Sequence, residues 1–291
     1  MAEADSRTAQ FLSRIGDDLL EAKFPLRAYN DPAIFDLEMD RLFGTHWIFI
    51  GHESEVAEPG DYVRRDIGTD PFILVRDEAG NLDVFFNSCP HRGTQFCKSE
   101  YGNTSHFRCP YHGWTFDNSG DLVGVPHRDK AYPGDELPDL GLVSAPKVDT
   151  YRGLVFACLD ENAPSLKDYL GDATWYLDLH FGLIDMEVHG QPQRWELDVD
   201  WKNAVDNEVG DSYHADYGHK SAKDVGVGSS AIGANSLDFS RRHVYDCDRS
   251  THNFSITAAD EDVFWDHPPE VVETFDFDAV SEAQLGLARR T

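Results

Sequence analysis

Basic residues are scarce in this chain. Across 291 residues, 25 Lys and Arg stand against 53 Asp and Glu, a formal net charge of −28. A surface of that sign repels nucleic acid and anionic membranes, so neither is an expected partner. It also repels itself, which weakens the compact state unless salt screens the charges; a halophilic, salt-adapted surface is the expectation. Long apolar runs are missing too, and none approaches the ~20 residues of a membrane span. The opening MAEADSRTAQ lacks the basic-then-apolar pattern of a secretory leader. Cysteine is limited to positions 89, 97, 109, 158 and 247. In a leaderless chain that argues against a disulfide framework and for thiols or metal ligands, with a cytoplasmic location as the default.

What is present divides into three textures. Phe11, Leu12, Ile15, Leu19 and Leu20 recur at helical spacing, and Asp31-Pro32 reads as an N-cap opening a second helix, AIFDLEMDRLF. From Trp47 short β-like runs take over: WIFIGH, DYVRRDI, then PFILVRDEAGNLDVFFNSC as a hairpin turning at Glu78-Ala79-Gly80-Asn81. FRCPYHGWTFDNSGDLVGV repeats the pattern with a turn at Asn118-Ser119-Gly120, and RGLVFACLD closes the β-rich block near residue 159. Beyond it, Ser165 and Asp168 resemble a capping box that starts one helix, LKDYLGDATWYLDLHF. In QRWELDVDWK, Trp195, Leu197, Val199 and Trp201 alternate with polar residues and predict a half-buried strand. Residues 202–219 follow as a helix, then strands SRRHVYDC and HNFSITA, an acidic loop and a last helix, SEAQLGLARR.

Two groups of residues carry chemistry. Cys89-Pro-His91 and Cys109-Pro-Tyr-His112 flank a loop of 17 residues. Two thiolates and two imidazoles suit structural zinc. They also suit a Rieske [2Fe–2S] centre, with two cysteines on one iron and two histidines on the other, because each half supplies one of each. Cys97 and His106 lie inside the intervening loop and fit neither ligand position, while Cys158 and Cys247 read as small buried residues. In the second group, GDSYHADYGH, His214 and His219 follow Asp211. Five residues apart, the two histidines point about 140° from each other on an ideal helix. Both face one ion only if the helix widens, as in a π-bulge, or ends between them, which Gly218 permits.

The motifs CPHRG and CPYHGW resemble the two ligand loops of the Rieske family, and WKNAVDNEVGDSYHADYGH resembles the mononuclear-iron segment of Rieske non-haem iron oxygenases. The likeness to the α subunits of aromatic-ring-hydroxylating dioxygenases covers nearly the whole chain. It implies Cys89 and Cys109 on the inner iron, His91 and His112 on the outer, and His214 and His219 on a catalytic ferrous ion. It further implies Asp211 as a carboxylate bridging His214 and a neighbouring subunit's His112, and Asn207 beside the iron. Glu208 departs from the pattern, since many relatives carry an aromatic or apolar residue there.

The implied fold is α+β: a β-rich Rieske domain plus an antiparallel-sheet, helix-grip catalytic domain that is incomplete. The boundaries expected are 1–44 for N-terminal helices packing on the catalytic domain, 45–159 for the Rieske domain and 160–291 for the catalytic domain. The implied activity is O2-dependent hydroxylation or cis-dihydroxylation of an aromatic substrate. Electrons would come from NAD(P)H through a reductase and a ferredoxin. The implied assembly is a homotrimer (α3), or α3β3 with a small β subunit. The third, carboxylate ligand of the mononuclear iron is expected downstream of Thr291; Asp260, Asp262 and Asp266 lack a matching context. An electron-transfer module without oxygenase activity is the second function class.

Overall fold

The structure, a computed structural model, describes residues 6–20, 23–132, 140–171, 173–182, 184–207, 218–221, 242–246 and 253–257. They fall into two compact units. One comprises Met1–Phe24, Asp31–Tyr169 and Met186–Pro192; the other comprises Pro25–Asn30, Leu170–Asp185 and Gln193–Thr291.

In chain order the first elements are α1 (Ser6–Leu20), α2 (Arg27–Asn30) and α3 (Pro32–Glu38). Asp31 caps α3 as its sequence predicts: its backbone is extended, and its Oδ1 accepts the Ala33 N–H at 3.0 Å. Pro32, which has no N–H to lose, takes the first helical position. The helix then widens into a π-helical turn over Met39–Phe43.

The β-rich part of the first unit follows: β1 (Ile48–His52), β2 (Asp61–Ile67), β3 (Asp70–Arg76), β4 (Leu82–Phe86), β5 (Tyr101–Asn103), β6 (His106–Arg108), β7 (Thr115–Asp117) and β8 (Leu122–Gly124). After the short α4 (Arg128–Ala131) come β9 (Lys147–Tyr151) and β10 (Leu154–Cys158). All pairings are antiparallel, in sheets of order β4-β3-β2-β5, β6-β7-β8 and β1-β10-β9. Strand β3 explains why PFILVR is apolar almost throughout. Ile73 and Val75 point into one core with Phe85, Phe107 and Phe116, while Phe72 and Leu74 point into a second core with Val63 and Val155. A strand buried on both faces has no need of polar alternation. The β3–β4 turn closes through Asp77, whose carboxylate accepts from the Asn81 backbone N–H at 2.7 Å and side-chain amide at 2.8 Å. β9 is an addition to the sequence reading: KVDTY carries too few apolar residues to stand out, and its pairing with β10 supplies what its side chains do not.

Two expectations are corrected beyond residue 159. The single helix over 166–181 is two, α5 (Leu166–Leu170) and α6 (Ala173–Phe181). Ser165 and Asp168 do form the start, with Ser165 Oγ donating to the Asp168 carboxylate at 2.6 Å and accepting its N–H at 3.2 Å. Gly171, at φ 49°, then turns the chain out of the helix, the left-handed conformation usual just past a C-terminus. The strand expected over QRWELDVDWK is not formed. Trp195, Leu197 and Val199 are 75%, 69% and 57% exposed, and no strand pairs with them among the described residues. Trp201 belongs instead to α7 (Trp201–Val205), whose N-cap Asp200 accepts the Lys202 N–H at 3.0 Å. Alternation marks the ability to pair; the cap at Asp200 ends the extended run and no ladder holds what precedes it. The two strands expected next are present as β11 (Arg242–Asp246) and β12 (Asn253–Thr257), and they pair antiparallel with one another. The acidic loop, the last helix and Cys247 lie outside the described residues. No helix among the described residues is long and apolar enough to cross a membrane.

Candidate metal centre

Two loops of matching construction meet at one edge of the first unit. The first runs from β4 to β5 and the second from β6 to β7. In the first, the Cys89 N–H donates to the Thr94 carbonyl at 2.9 Å, and the Gly93 N–H to the Cys89 carbonyl at 2.8 Å. In the second, the Cys109 N–H donates to the Trp114 carbonyl at 2.7 Å, and the Gly113 N–H to the Cys109 carbonyl at 3.0 Å. Gly93 and Gly113 sit at φ 71° and 72°, a conformation that opposes any Cβ. The two loops thus share one hydrogen-bonded turn, Cys to its fourth and fifth successors. They differ in where the histidine falls, two residues after Cys89 and three after Cys109.

Each loop is anchored differently. Asn87, wholly buried, donates from Nδ2 to the Cys97 carbonyl at 2.8 Å and accepts the Cys97 N–H at 3.0 Å, which pins the two ends of the first loop together. The second loop is held by the β6–β7 pairing of Arg108 with Thr115. The space beside Gly113 is bounded by Pro126 and the Arg108 guanidinium.

The four side chains singled out in sequence converge. Cys89 and Cys109 are each 2% exposed and lie next to one another. The His91 and His112 rings stand edge to face, 4.6 Å apart between centroids. His91 is half-buried and His112 exposed, so thiols face inward and imidazoles outward. Burial pushes the Cys89 thiol pKa up and the adjacent Cys109 adds to it, whereas backbone N–H groups of His91 and Arg92 directed at the sulfur act the other way. Burial also lowers the His91 pKa, with His112 and Arg92 contributing. A buried thiol pair, with backbone N–H groups directed at Cys89 and two imidazoles alongside, is a donor set that suits a cationic iron–sulfur core. Each iron of such a core takes two protein ligands, so no group of three or more His, Cys, Asp or Glu about one ion is needed; none occurs among the described residues.

Sequence reasoning passed over two residues here. Trp114, 2% exposed, stacks on His91, and Asn87 clamps the loop. Trp114 was visible as the last residue of CPYHGW; nothing in the sequence marks Asn87. Cys97 and His106 remain apart from the four, Cys97 buried under Asn87 and His106 exposed on β6. Cys158 is fully buried in β10.

The second constellation is described only at its edges. Asn207 is exposed at the end of α7, where Asp206 and Asn207 take a π-helical turn. His219 is exposed as well. Asp211 and His214 lie outside the described residues, as does Glu208.

Residues 46–151 match the Rieske [2Fe-2S] domain family. The chain is 36% identical over 281 residues to the N,N-dimethyl phenylurea N-demethylase subunit alpha of a Sphingobium species, spanning 93% of this chain and 60% of that protein. It is 39% identical over 191 residues to the biphenyl 2,3-dioxygenase subunit alpha of Rhodococcus jostii, spanning 65% of this chain and 41% of the other. The crystal structure of naphthalene 1,2-dioxygenase from Rhodococcus sp. bound to indole superposes with a TM-score of 0.79 at 38% identity, over 94% of this chain and 66% of that one. The fold and these matches define a protein with a Rieske [2Fe–2S] domain. More particularly, the chain is a homologue of the α subunits of aromatic-ring-hydroxylating dioxygenases, and it spans 60% of the length of the phenylurea N-demethylase subunit and 41% of that of the biphenyl dioxygenase subunit.

Proposed function

We propose that this chain acts as the α subunit of a Rieske non-haem iron oxygenase, with residues 45–159 carrying the cluster, 160–291 contributing to the catalytic domain and 1–44 packing as helices against it. The carrying observation is that the likeness to naphthalene 1,2-dioxygenase covers 94% of this chain, well past the Rieske region at 46–151, which a stand-alone electron carrier would not require. In this reading Cys89 and Cys109 hold the inner iron and His91 and His112 the outer one. When bound, such a cluster would supply single electrons at a potential raised by two imidazoles standing in place of two thiolates. The chain's own part is to hold the two thiols buried, to set the two imidazoles side by side, and to leave the His112 edge open for electron exchange.

His214 and His219, with Asn207 nearby, are assigned to a mononuclear ferrous ion, and Asp211 to the link between the two metals. A carboxylate in that position fixes a ligand imidazole by hydrogen bonding. No residue of 1–291 is assigned as the third, carboxylate ligand. The substrate class is an aromatic small molecule, in line with the biphenyl, benzene, naphthalene and phenylurea named for the relatives. Electrons come from NAD(P)H through a reductase and ferredoxin, and the assembly is α3 or α3β3. The location is cytoplasmic, and the surface is adapted to salt.

Iron and acid-labile sulfide analysis of the native assembly tests the reading. Three irons per α chain with a Rieske EPR signal support the oxygenase; two irons and no product with any aromatic substrate leave an electron carrier. Product analysis under 18O2 separates one-atom from two-atom incorporation. The salt-adapted surface predicts an unfolding midpoint that rises steeply from dilute buffer to molar KCl; a flat response removes it.

A further inference from the structure

We propose that Trp114 is a positioning residue for the outer-iron ligand His91: its indole fixes the imidazole plane and joins the two ligand loops into one unit. This rests on the reading of residues 45–159 as the cluster-bearing domain.

The argument starts from the matching turns. Thr94 and Trp114 occupy equivalent places, each giving its carbonyl to the N–H of the cysteine five residues earlier. The backbone role is the same, yet the side chains differ greatly in reach. The Trp114 indole is 2% exposed and leaves its own loop to lie against the other. There it stacks on His91 with ring centroids 4.6 Å apart and planes within 5° of parallel. Tyr132 meets the indole edge-on at 6.1 Å and 70°, so the indole is itself backed by a ring. On the imidazole, His112 stands at 4.6 Å and 71°. Between the indole and His112, rotation of the His91 ring about its Cβ–Cγ bond is closed off.

That restraint matters because this torsion is otherwise broad and roughly two-fold, so the ring plane of a histidine is set by its surroundings. At a metal site, ligand orientation and solvent access set the metal's electronic properties. His112 has no such support. It is exposed, and its companion, Tyr111 at 3.9 Å, is itself 59% exposed. One imidazole is thus held by the core and the other stands at the surface.

The sign of the effect follows from charge. A [2Fe–2S] core with two thiolates and two neutral imidazoles is neutral when oxidised and carries one negative charge when reduced. Removing the indole admits water beside His91, which favours the charged, reduced form and raises the midpoint potential. Loss of a fixed ring plane also spreads the ligand geometry, which the reduced EPR spectrum reads directly.

The test uses the full chain with its cluster, reduced by dithionite. Trp114→Leu is expected to retain iron and sulfide, with an upward shift in midpoint potential and altered, broadened g-values. Trp114→Phe, which keeps a flat ring, is expected to return both close to wild type. Thr94→Ala, at the equivalent place without a stacked ring, is expected to change neither. Unchanged g-values and potential in a fully loaded Trp114→Leu protein overturn the proposal, as does an equal shift in Thr94→Ala. Should Trp114→Leu fail to hold iron, Trp114→Phe and Trp114→Met decide: the flat ring must preserve the wild-type signal and the thioether must shift it, and identical behaviour refutes the role. Absence of a Rieske signal from the wild-type protein refutes the cluster reading instead, so the two failures are distinct.

Discussion

In DYVRRDI Val63 and Ile67 fall on one face of a strand, as Trp195, Leu197 and Val199 would in QRWELDVD, and the two stretches meet opposite circumstances. In the first, Val63 and Ile67 are 0% and 2% exposed, and β2 is paired with β3 on one edge and with β5 on the other. In the second, Trp195, Leu197 and Val199 are mostly exposed and have no ladder among the described residues. The polar residues of DYVRRDI are also in use: Arg64 pairs with Glu100 and Arg65 with Glu55. A period of two therefore specifies which face a strand would bury. Whether it buries anything depends on hydrogen-bonding neighbours along both edges and a packed layer beneath.

Substitutions break this comparison if it is wrong. Phe116, fully buried in the core beneath the ligand loops, should cost about 3–5 kcal/mol when changed to Ala. Trp195→Ala should cost no more than about 0.5 kcal/mol, as expected for an exposed position away from a core. Denaturant unfolding of both variants checks this, and an equal loss at Trp195 would mean that residues 193–199 are covered in the assembly.

A polar contact sharpens the same contrast at intermediate size. Asn87→Ala strands a buried N–H and C=O of Cys97, at a cost of about 1–3 kcal/mol. The visible absorbance of the variant should fall with its thermal stability, because the first ligand loop loses its clamp. Full stability and full cluster content together would show that the β4–β5 connection is held by other means.

The smallest effect concerns acid. Burial, followed by repulsion from Asp77, raises the pKa of Asp83 on β4 above its ordinary value. Its carboxyl group is therefore protonated more readily in the fold than in the open chain. Ionising it costs stability as pH rises from the unfolded pKa through the folded one, and the penalty stays in full above that. Asp83→Asn should stabilise the protein at pH 7, by less than about 1 kcal/mol. The gain should vanish in acid, below the unfolded carboxylate pKa. Unfolding midpoints of the two proteins at both pH values give the answer, and a gain that is equal at both removes the carboxylate as its cause.

The ligand loops were legible in sequence because ligands, turn glycines and flanking prolines all sit within a few residues of one another. The Asp31-Pro32 cap and the Ser165–Asp168 pair were legible for the same local reason. β9 was not, since its place is set by β10 across the Arg152-Gly153 turn rather than by its own side chains. The stacking of Trp114 on His91 and the grip of Asn87 on Cys97 join positions 23 and 10 residues apart, and no local pattern encodes them. The break at Gly171 was written in the chain as a lone glycine, but helical spacing on either side of it concealed the stop.

The pairing of β1 with β10 has a consequence for how this region forms. Ile48 faces Ala157 and His52 faces Leu154, so the strands that open and close the block lie side by side. Everything between them must be looped out before that pairing can begin. The entropy of closing so long a loop grows with the logarithm of its length and falls as intervening hairpins shorten the effective path. The β2–β3–β4 meander and the β6–β7–β8 meander are joined by short local turns, so they are placed to zip first, and β1 and β10 to meet late. Entry and exit at adjacent points also make the block an insertable cassette: the chain leaves next to where it entered, and a lengthened or shortened loop inside the block leaves the spacing of its two ends unchanged.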